Sequence, residues 1–334
     1  MKRSPFHFCL VGCGKWAICH AAILRKFSKE IVFSFASRDI KKAEEYSRRF
    51  GGRRAFMGLN AAAEDPAVDA VFLCTPPFNH VEEVETAARA GKAIFIEKPI
   101  ACNREEGEEI IQICRKHEAV LMVGENLHYS PPIHLVKNLL SVHAIGDVLS
   151  IQAKGASNSV WTEWRKDNKA GVGILLDEGI HYLHVFRFWG GEPLKFKRVS
   201  FRKRESKSVE DVAELEVSLE RVANVSLFLS RGREETSILP WFHVIGSEGS
   251  LTLDYGSPFL YVDGKKKNKY FIGAVSWLLA KILGNDRFGR KAIIRDFLHC
   301  VRNKSTPQMS GKEGLLDLEF ALNAYEHARL NEQP

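Results

Sequence analysis

Seven cysteines occur in this chain, at positions 9, 13, 19, 74, 102, 114 and 300, yet no two are spaced as CxxC. The odd count and the missing pairs argue against a disulfide framework and against a zinc site, so reduced, buried thiols are expected and no metal centre is indicated. Cys13 is set apart because it falls inside a glycine turn, where a thiol can be accessible. Long apolar runs are also missing: none reaches the ~18 residues that span a bilayer. The start, Met1-Lys2-Arg3-Ser4-Pro5, is basic, but the apolar stretch 6–11 is too short for a signal core, so a cytoplasmic protein is expected. No internal repeat, low-complexity tract, helix-turn-helix, finger or RNP pattern is present. The formal charge of +7 and a pI of about 9.0 would suit nucleic acid, but the positive residues are scattered over Arg48-Arg49, Arg53-Arg54, 195–207 and 265–267. Anionic small molecules such as a dinucleotide or a nucleotide sugar account for that balance, and no nucleic-acid partner is expected.

What the chain does contain is 334 residues, 45% hydrophobic and 27% charged, a soluble composition too long for one core. Strand and helix patterns alternate through the first third: strands over 6–11, 31–36, 68–74, 93–96 and 119–123, helices over 15–27, 40–50, 79–90 and 103–117, with Asn103 as N-cap of the last. Repeated βα units imply a parallel, doubly wound sheet. Past residue 125 the grammar changes to strand-like runs at 148–154, 195–202, 211–219, 223–229, 241–246 and 250–254. Helices are expected over 132–140, 174–189, 290–302 and 312–330. The expected architecture is an α/β Rossmann domain over 1–124, followed over 125–334 by an α+β domain with an open, mostly antiparallel sheet. The C-terminal helices are candidates to pack back on the first domain.

Three patterns carry chemistry. Gly12-Cys13-Gly14-Lys15-Trp16-Ala17 follows a strand and opens a helix, as G-x-G-x-x-(G/A) requires. The first Gly makes the turn, the second admits a pyrophosphate to the backbone, and the small Ala17 lets helix and strand pack. The helix-start N–H groups, including those of Lys15 and Trp16, are then phosphate donors. At the end of the second strand stands Ser37-Arg38 where an acid would hold the ribose of NAD. A hydroxyl and a guanidinium suit the 2′-phosphate of NADP, so NADP is favoured over NAD. The competing account has Arg38 solvated and Asp39 capping the next helix. At the same sheet edge, Thr75-Pro76 offers a hydroxyl to the cofactor, and His80 either contacts it or merely starts a helix. The second pattern, Glu97-Lys98-Pro99, leaves the buried run 93–96 at a strand's carboxyl end, where open α/β sheets bind ligands. The third is Asp177-x-x-x-His181, whose spacing puts carboxylate and imidazole on one helix face. Either they are a core pair or they serve proton transfer and substrate binding.

Together with Trp164-Arg165, Asp296-Phe297-Leu298 and the closing helix, these motifs resemble the Gfo/Idh/MocA oxidoreductases along nearly the whole chain. The resemblance implies NAD(P)-dependent oxidation or reduction of a sugar, polyol or nucleotide-sugar hydroxyl. Lys98, Asp177 and His181 would be the catalytic set, and Glu97 and Lys98 would also face the cofactor. Asn126, Tyr129, Trp164 and Arg165 would form a substrate wall. The outer face of the second sheet would join subunits into a dimer or tetramer. The chain departs from the family pattern at Gly171-Val172-Gly173, at Glu178 and over 124–129, so the substrate does not transfer. Two other classes stay open: a non-catalytic NADP sensor or scaffold, which needs none of the three reactive residues, and an NAD-dependent glycoside hydrolase, which shows no net cofactor reduction. The apolar segment 271–283 beside Lys265-Lys266-Lys267 is expected to be a subunit contact or lid rather than a membrane-surface helix.

Overall fold

The computed structural model describes residues 5–158, 173–204, 209–232, 236, 238–264, 267–272 and 286–331. Trp164 and Arg165, and all of 271–283 beyond Phe271 and Ile272, lie outside them. Two compact units emerge. One joins Met1–Glu125 with Lys291–Leu316; the other joins Asn126–Arg290 with Asp317–Pro334. Residues 291–316 thus group with the first unit, whereas a division at 124/125 would place them in the second.

The first unit is built on six parallel strands: β1 (Phe6–Val11), β2 (Ile31–Ser37), β3 (Ala55–Met57), β4 (Ala70–Leu73), β5 (Ala93–Ile96) and β6 (Leu121–Val123). Their order, β3-β2-β1-β4-β5-β6, is that of a doubly wound dinucleotide fold. The strands read as apolar runs because helices cover both faces. Phe8, Phe35, Phe72 and Phe95 are all fully buried or nearly so, and Phe297 packs on Phe8 and Phe95 at 5.5 Å each. The helices are α1 (Lys15–Leu24), α2 (Ile40–Phe50), α3 (Gly58–Glu64), α4 (His80–Arg89) and α5 (Arg104–Lys116). Asp39 caps α2 by accepting from the Lys41 N–H, and Asn103 caps α5 by accepting from the Glu106 N–H.

The second unit opens with α6 (Pro131–Ser141) and holds eight strands: β7 (Val148–Ser157), β8 (Pro193–Arg202), β9 (Val212–Leu219), β10 (Asn224–Arg231), β11 (Ile238–Gly246), β12 (Gly249–Asp254), β13 (Phe259–Asp263) and β14 (Asn268–Phe271). They run in the order β14-β13-β12-β11-β7-β10-β9-β8, antiparallel except for the β7/β10 pair. One face is apolar, with Ile151, Leu227, Leu215, Phe242 and Leu251 buried. Onto it packs α7 (Ile180–Gly190), through Tyr182 and Trp189 against Phe242 at 5.4 and 5.2 Å. The opposite face carries Gln152, Lys154, Glu214, Phe228 and Trp241. Two C-terminal helices follow, α8 (Arg290–Asn303) and α9 (Gly311–Asn331).

Candidate active site

The glycine turn connects β1 to α1 at the carboxyl edge of the parallel sheet. Gly12 has φ +92°, and a Cβ there would lie 3.1 Å from Thr75 Cγ2 and 3.2 Å from the Cys74 carbonyl oxygen. Both conformation and space therefore demand glycine. A Cβ on Gly14, by contrast, would meet nothing within 4 Å. Ala17 is fully buried where α1 packs on the sheet, and Lys15 and Trp16 are exposed. Unlike α2 and α5, α1 has no side-chain cap among the described residues, and, unlike α5, it has no acid in its first turn. The open approach over Gly14 and the uncapped, acid-free helix start fit a pyrophosphate of NAD(P), whose negative charge the first N–H groups would receive.

Cys13 does not behave as an accessible thiol. It is 6% exposed, and burial pushes its pKa up to about 11, so the reactive thiolate is suppressed. At the end of β2, Arg38 is exposed, while Ser37 Oγ accepts from the Asp39 N–H at 3.2 Å. Asp39 acts as the helix cap described above, which leaves the Arg38 guanidinium as the cation at that edge.

The loop after β4 is tied to α4. The Thr75 hydroxyl donates to Glu83 on α4. Burial raises the Glu83 carboxyl to about 7, against the Thr75 hydrogen bond and the Arg38 charge, which lower it. His80 is fully buried, with Nδ1 3.0 Å from the Ile100 carbonyl oxygen and Nε2 3.2 Å from that of Thr75. His80, read as a cofactor contact or a helix start, opens α4 with its ring between a carbonyl of the Thr75 loop and one after Pro99, and a neutral imidazole donates to one of the two. Burial holds its pKa below the ordinary value.

Lys98 leaves β5 at the same edge, half-buried, joined to Pro99 by a cis peptide bond. Glu97 beside it is 8% exposed, and its carboxylate meets His20 Nε2 of α1 at 2.5 Å. The first unit thus gathers Gly12, Gly14, Ser37, Arg38, Thr75, Glu97 and Lys98 along one sheet edge.

In the second unit, the expected single helix over 174–189 starts with a π-helical segment, Leu175–Gly179, that passes into α7. Asp177 sits in the wider turn and His181 one turn on, half-buried. Asp177 is 7% exposed and accepts from Arg231 Nη2 at 2.7 Å; the same guanidinium also reaches Glu178. A buried cation at the end of β10 therefore holds both carboxylates, and the Glu178 departure from the family pattern is accounted for by that pairing. Asn126 and Tyr129 lie in a 3₁₀ turn. The Asn126 amide donates to the Phe288 carbonyl at 2.7 Å, and Tyr129 is buried. Between them, His128 Nδ1 lies 3.0 Å from His184 Nε2, and His184 Nδ1 is 2.9 Å from Asp317.

His20, Glu83 and Arg231 are site neighbours that no local pattern announces. His20 and Glu97 are 77 positions apart and Arg231 and Asp177 are 54 apart, so only the folded sheet order brings each pair together.

The first unit defines a dinucleotide-binding oxidoreductase domain. A model described as "Oxidoreductase family, NAD-binding Rossmann fold" matches residues 6–125, and one for the GFO/IDH/MocA C-terminal domain matches 133–252. The chain belongs to the GFO/IDH/MocA oxidoreductases. It is 26% identical to D-apiose dehydrogenase of Paraburkholderia graminis, over 97% of this chain and 88% of the relative. It is 23% identical to the NADP(+)-linked D-xylose 1-dehydrogenase of Haloarcula marismortui, over 97% and 91%. Levoglucosan dehydrogenase in complex with NADH and L-sorbose shares the fold with a TM-score of 0.86 at 21% identity, covering 98% of this chain and 97% of that one. Among the described residues, no helix is long and apolar enough to cross a membrane.

Proposed function

We propose that the chain oxidises or reduces a CH–OH centre of a sugar, polyol or nucleotide sugar, with NADP preferred and NAD also accepted. The observation that carries the reading is the shared edge: the glycine turn after β1 and Lys98 after β5 stand at the carboxyl ends of the same parallel sheet. The family and the sugar dehydrogenases among its relatives support the substrate class. Arg38, exposed at the end of β2 where no free acid stands, supports NADP.

The α1 N-terminus takes the pyrophosphate, and Ser37 and Arg38 take the adenosine end. When bound, the nicotinamide supplies the hydride acceptor or donor. Lys98 donates a hydrogen bond to the reacting oxygen and stabilises its developing negative charge. His181 takes the hydroxyl proton during oxidation and returns it during reduction. Asp177, paired with Arg231, accepts from a neighbouring hydroxyl and orients the sugar. Trp164 and Arg165 complete the substrate wall, with Asn126 and Tyr129 as its framework. Subunits associate through the outer face of the eight-stranded sheet, and the protein works in the cytoplasm on small molecules, not on nucleic acid.

The test follows reduced-nicotinamide absorbance with NADP and with NAD across D-xylose, D-apiose, levoglucosan and nucleotide sugars. Turnover with net cofactor reduction or oxidation is expected. Lys98→Ala should lower kcat by about 10²–10³ while NADPH affinity changes little. Near-wild-type turnover in that variant would remove Lys98 from the mechanism.

A further inference from the structure

The carboxylate beside Lys98 is buried, and a buried carboxylate requires a partner. His20 Nε2 meets it at 2.5 Å. The imidazole is itself constrained: its ring lies 4.1 Å from Phe72 and 6.4 Å from Phe95, and those two rings are 4.0 Å apart. The ring of Trp16, one turn earlier on α1, lies 6.2 Å away. Glu97 is thereby held by its side chain on His20 and by its backbone N–H on the Leu73 carbonyl at 3.1 Å. Beyond Lys98, the Ile100 carbonyl is held in turn by His80. The residue between these anchors has its direction of exit set on both sides.

We infer that His20 is a positioning residue for Lys98, acting through the Glu97 carboxylate. The inference rests on the reading of Lys98 as the group that contacts the reacting oxygen. Its physical content is that a displacement of about 1 Å at a reacting group is enough to cost orders of magnitude in rate. Because His20 belongs to α1, the pair also ties the lysine to the helix whose first turn would receive the cofactor phosphates. A purely structural ion pair would behave differently: its loss would lower stability and leave the lysine's chemistry unchanged.

The test uses the full chain with His20→Ala, His20→Gln, Glu97→Gln, Lys98→Ala and the double variant of His20→Ala with Lys98→Ala. Steady-state kinetics use NADP and whichever sugar of the panel above is turned over fastest. NADPH binding is followed by its fluorescence, and Lys98 reactivity in the cofactor-free protein by acetic anhydride labelling read by mass spectrometry. His20→Ala is expected to lower kcat about tenfold with KM and NADPH affinity nearly unchanged. Glu97→Gln should do the same, and His20→Gln, which keeps an N–H donor, should recover most of the loss. In the Lys98→Ala background, His20→Ala should cost nothing more. The labelling rate of Lys98 should shift severalfold while that of Lys154 stays constant. Full additivity in the double variant, or a lower melting temperature with unchanged kcat and unchanged Lys98 labelling, would overturn the inference and leave Lys98 in place. Near-wild-type turnover of Lys98→Ala alone would instead overturn the reading it rests on. Should no sugar of the panel be turned over, an unchanged Lys98 labelling rate in His20→Ala decides against the inference.

Discussion

Glu83 carries its carboxyl into a half-buried position on α4, and desolvation outweighs both the hydrogen bond from Thr75 and the charge of Arg38. Its pKa rises from 4.5 to about 7. The linkage has a definite sign. Between those two values the native state keeps a proton that the unfolded chain has released, so stability falls as pH rises through that window and levels off above it. Glu83→Gln fixes the neutral form and still accepts from Thr75. Its advantage in unfolding free energy over the wild type should be small near pH 5 and grow toward pH 8, reaching on the order of 2–3 kcal/mol. Thermal unfolding of the cofactor-free protein across that range reads the effect directly; parallel curves would place the carboxyl in a solvated setting instead. None of this is visible locally, since Glu83 reads in sequence as one of two adjacent helix-start acids, and only the return of α4 against the Thr75 loop buries it.

The elements themselves were largely legible, and the exceptions have physical causes. Strands 6–11 and 93–96 and helix 40–50 match their patterns residue for residue, because each is bounded by a glycine, a proline or a capping side chain. Missed are β3 and α3, with three and seven residues, and β13 and β14, whose partly exposed residues dilute the apolar alternation. The lead into α7 was legible as helix but not as a π-turn, because the wider winding has no period of its own in five residues. That turn buries Asp177, and brings the half-buried Glu178, against Arg231, which is 5% exposed. Removing one partner of such a group leaves charge uncompensated in a low dielectric. Arg231→Met should therefore destabilise the protein by about 3–5 kcal/mol, and adding Glu178→Gln should restore part of the loss. Urea unfolding followed by tryptophan fluorescence measures both; a cost below about 1 kcal/mol would mean that solvent screens the cluster.

At the scale of the whole molecule, the question is what the eight-stranded sheet does with its second face. A sheet buried on one side alternates apolar and polar residues along its strands, and β7 follows the rule, with Ile151 and Ala153 buried and Gln152 and Lys154 exposed. The outward face is not uniformly polar, however. Phe228 is 42% exposed, flanked in register by Glu214 on β9 and Lys154 on β7, and the Lys154 ammonium lies 4.5 Å over the Trp241 ring. Aromatic centres rimmed by charges of both signs are the composition of an association surface rather than of a solvated one. The proposed self-association through this face makes Phe228 an anchor. Phe228→Thr keeps a strand-forming residue on β10 and removes the ring, so folding and circular dichroism should be preserved. The dissociation constant of the oligomer, measured by sedimentation velocity over a dilution series, should rise at least about tenfold, in keeping with the loss of an interface aromatic. A wild-type chain that sediments as a monomer, or a variant whose association is unchanged, would assign this face to another partner and leave the chemistry of the first unit's sheet edge untouched.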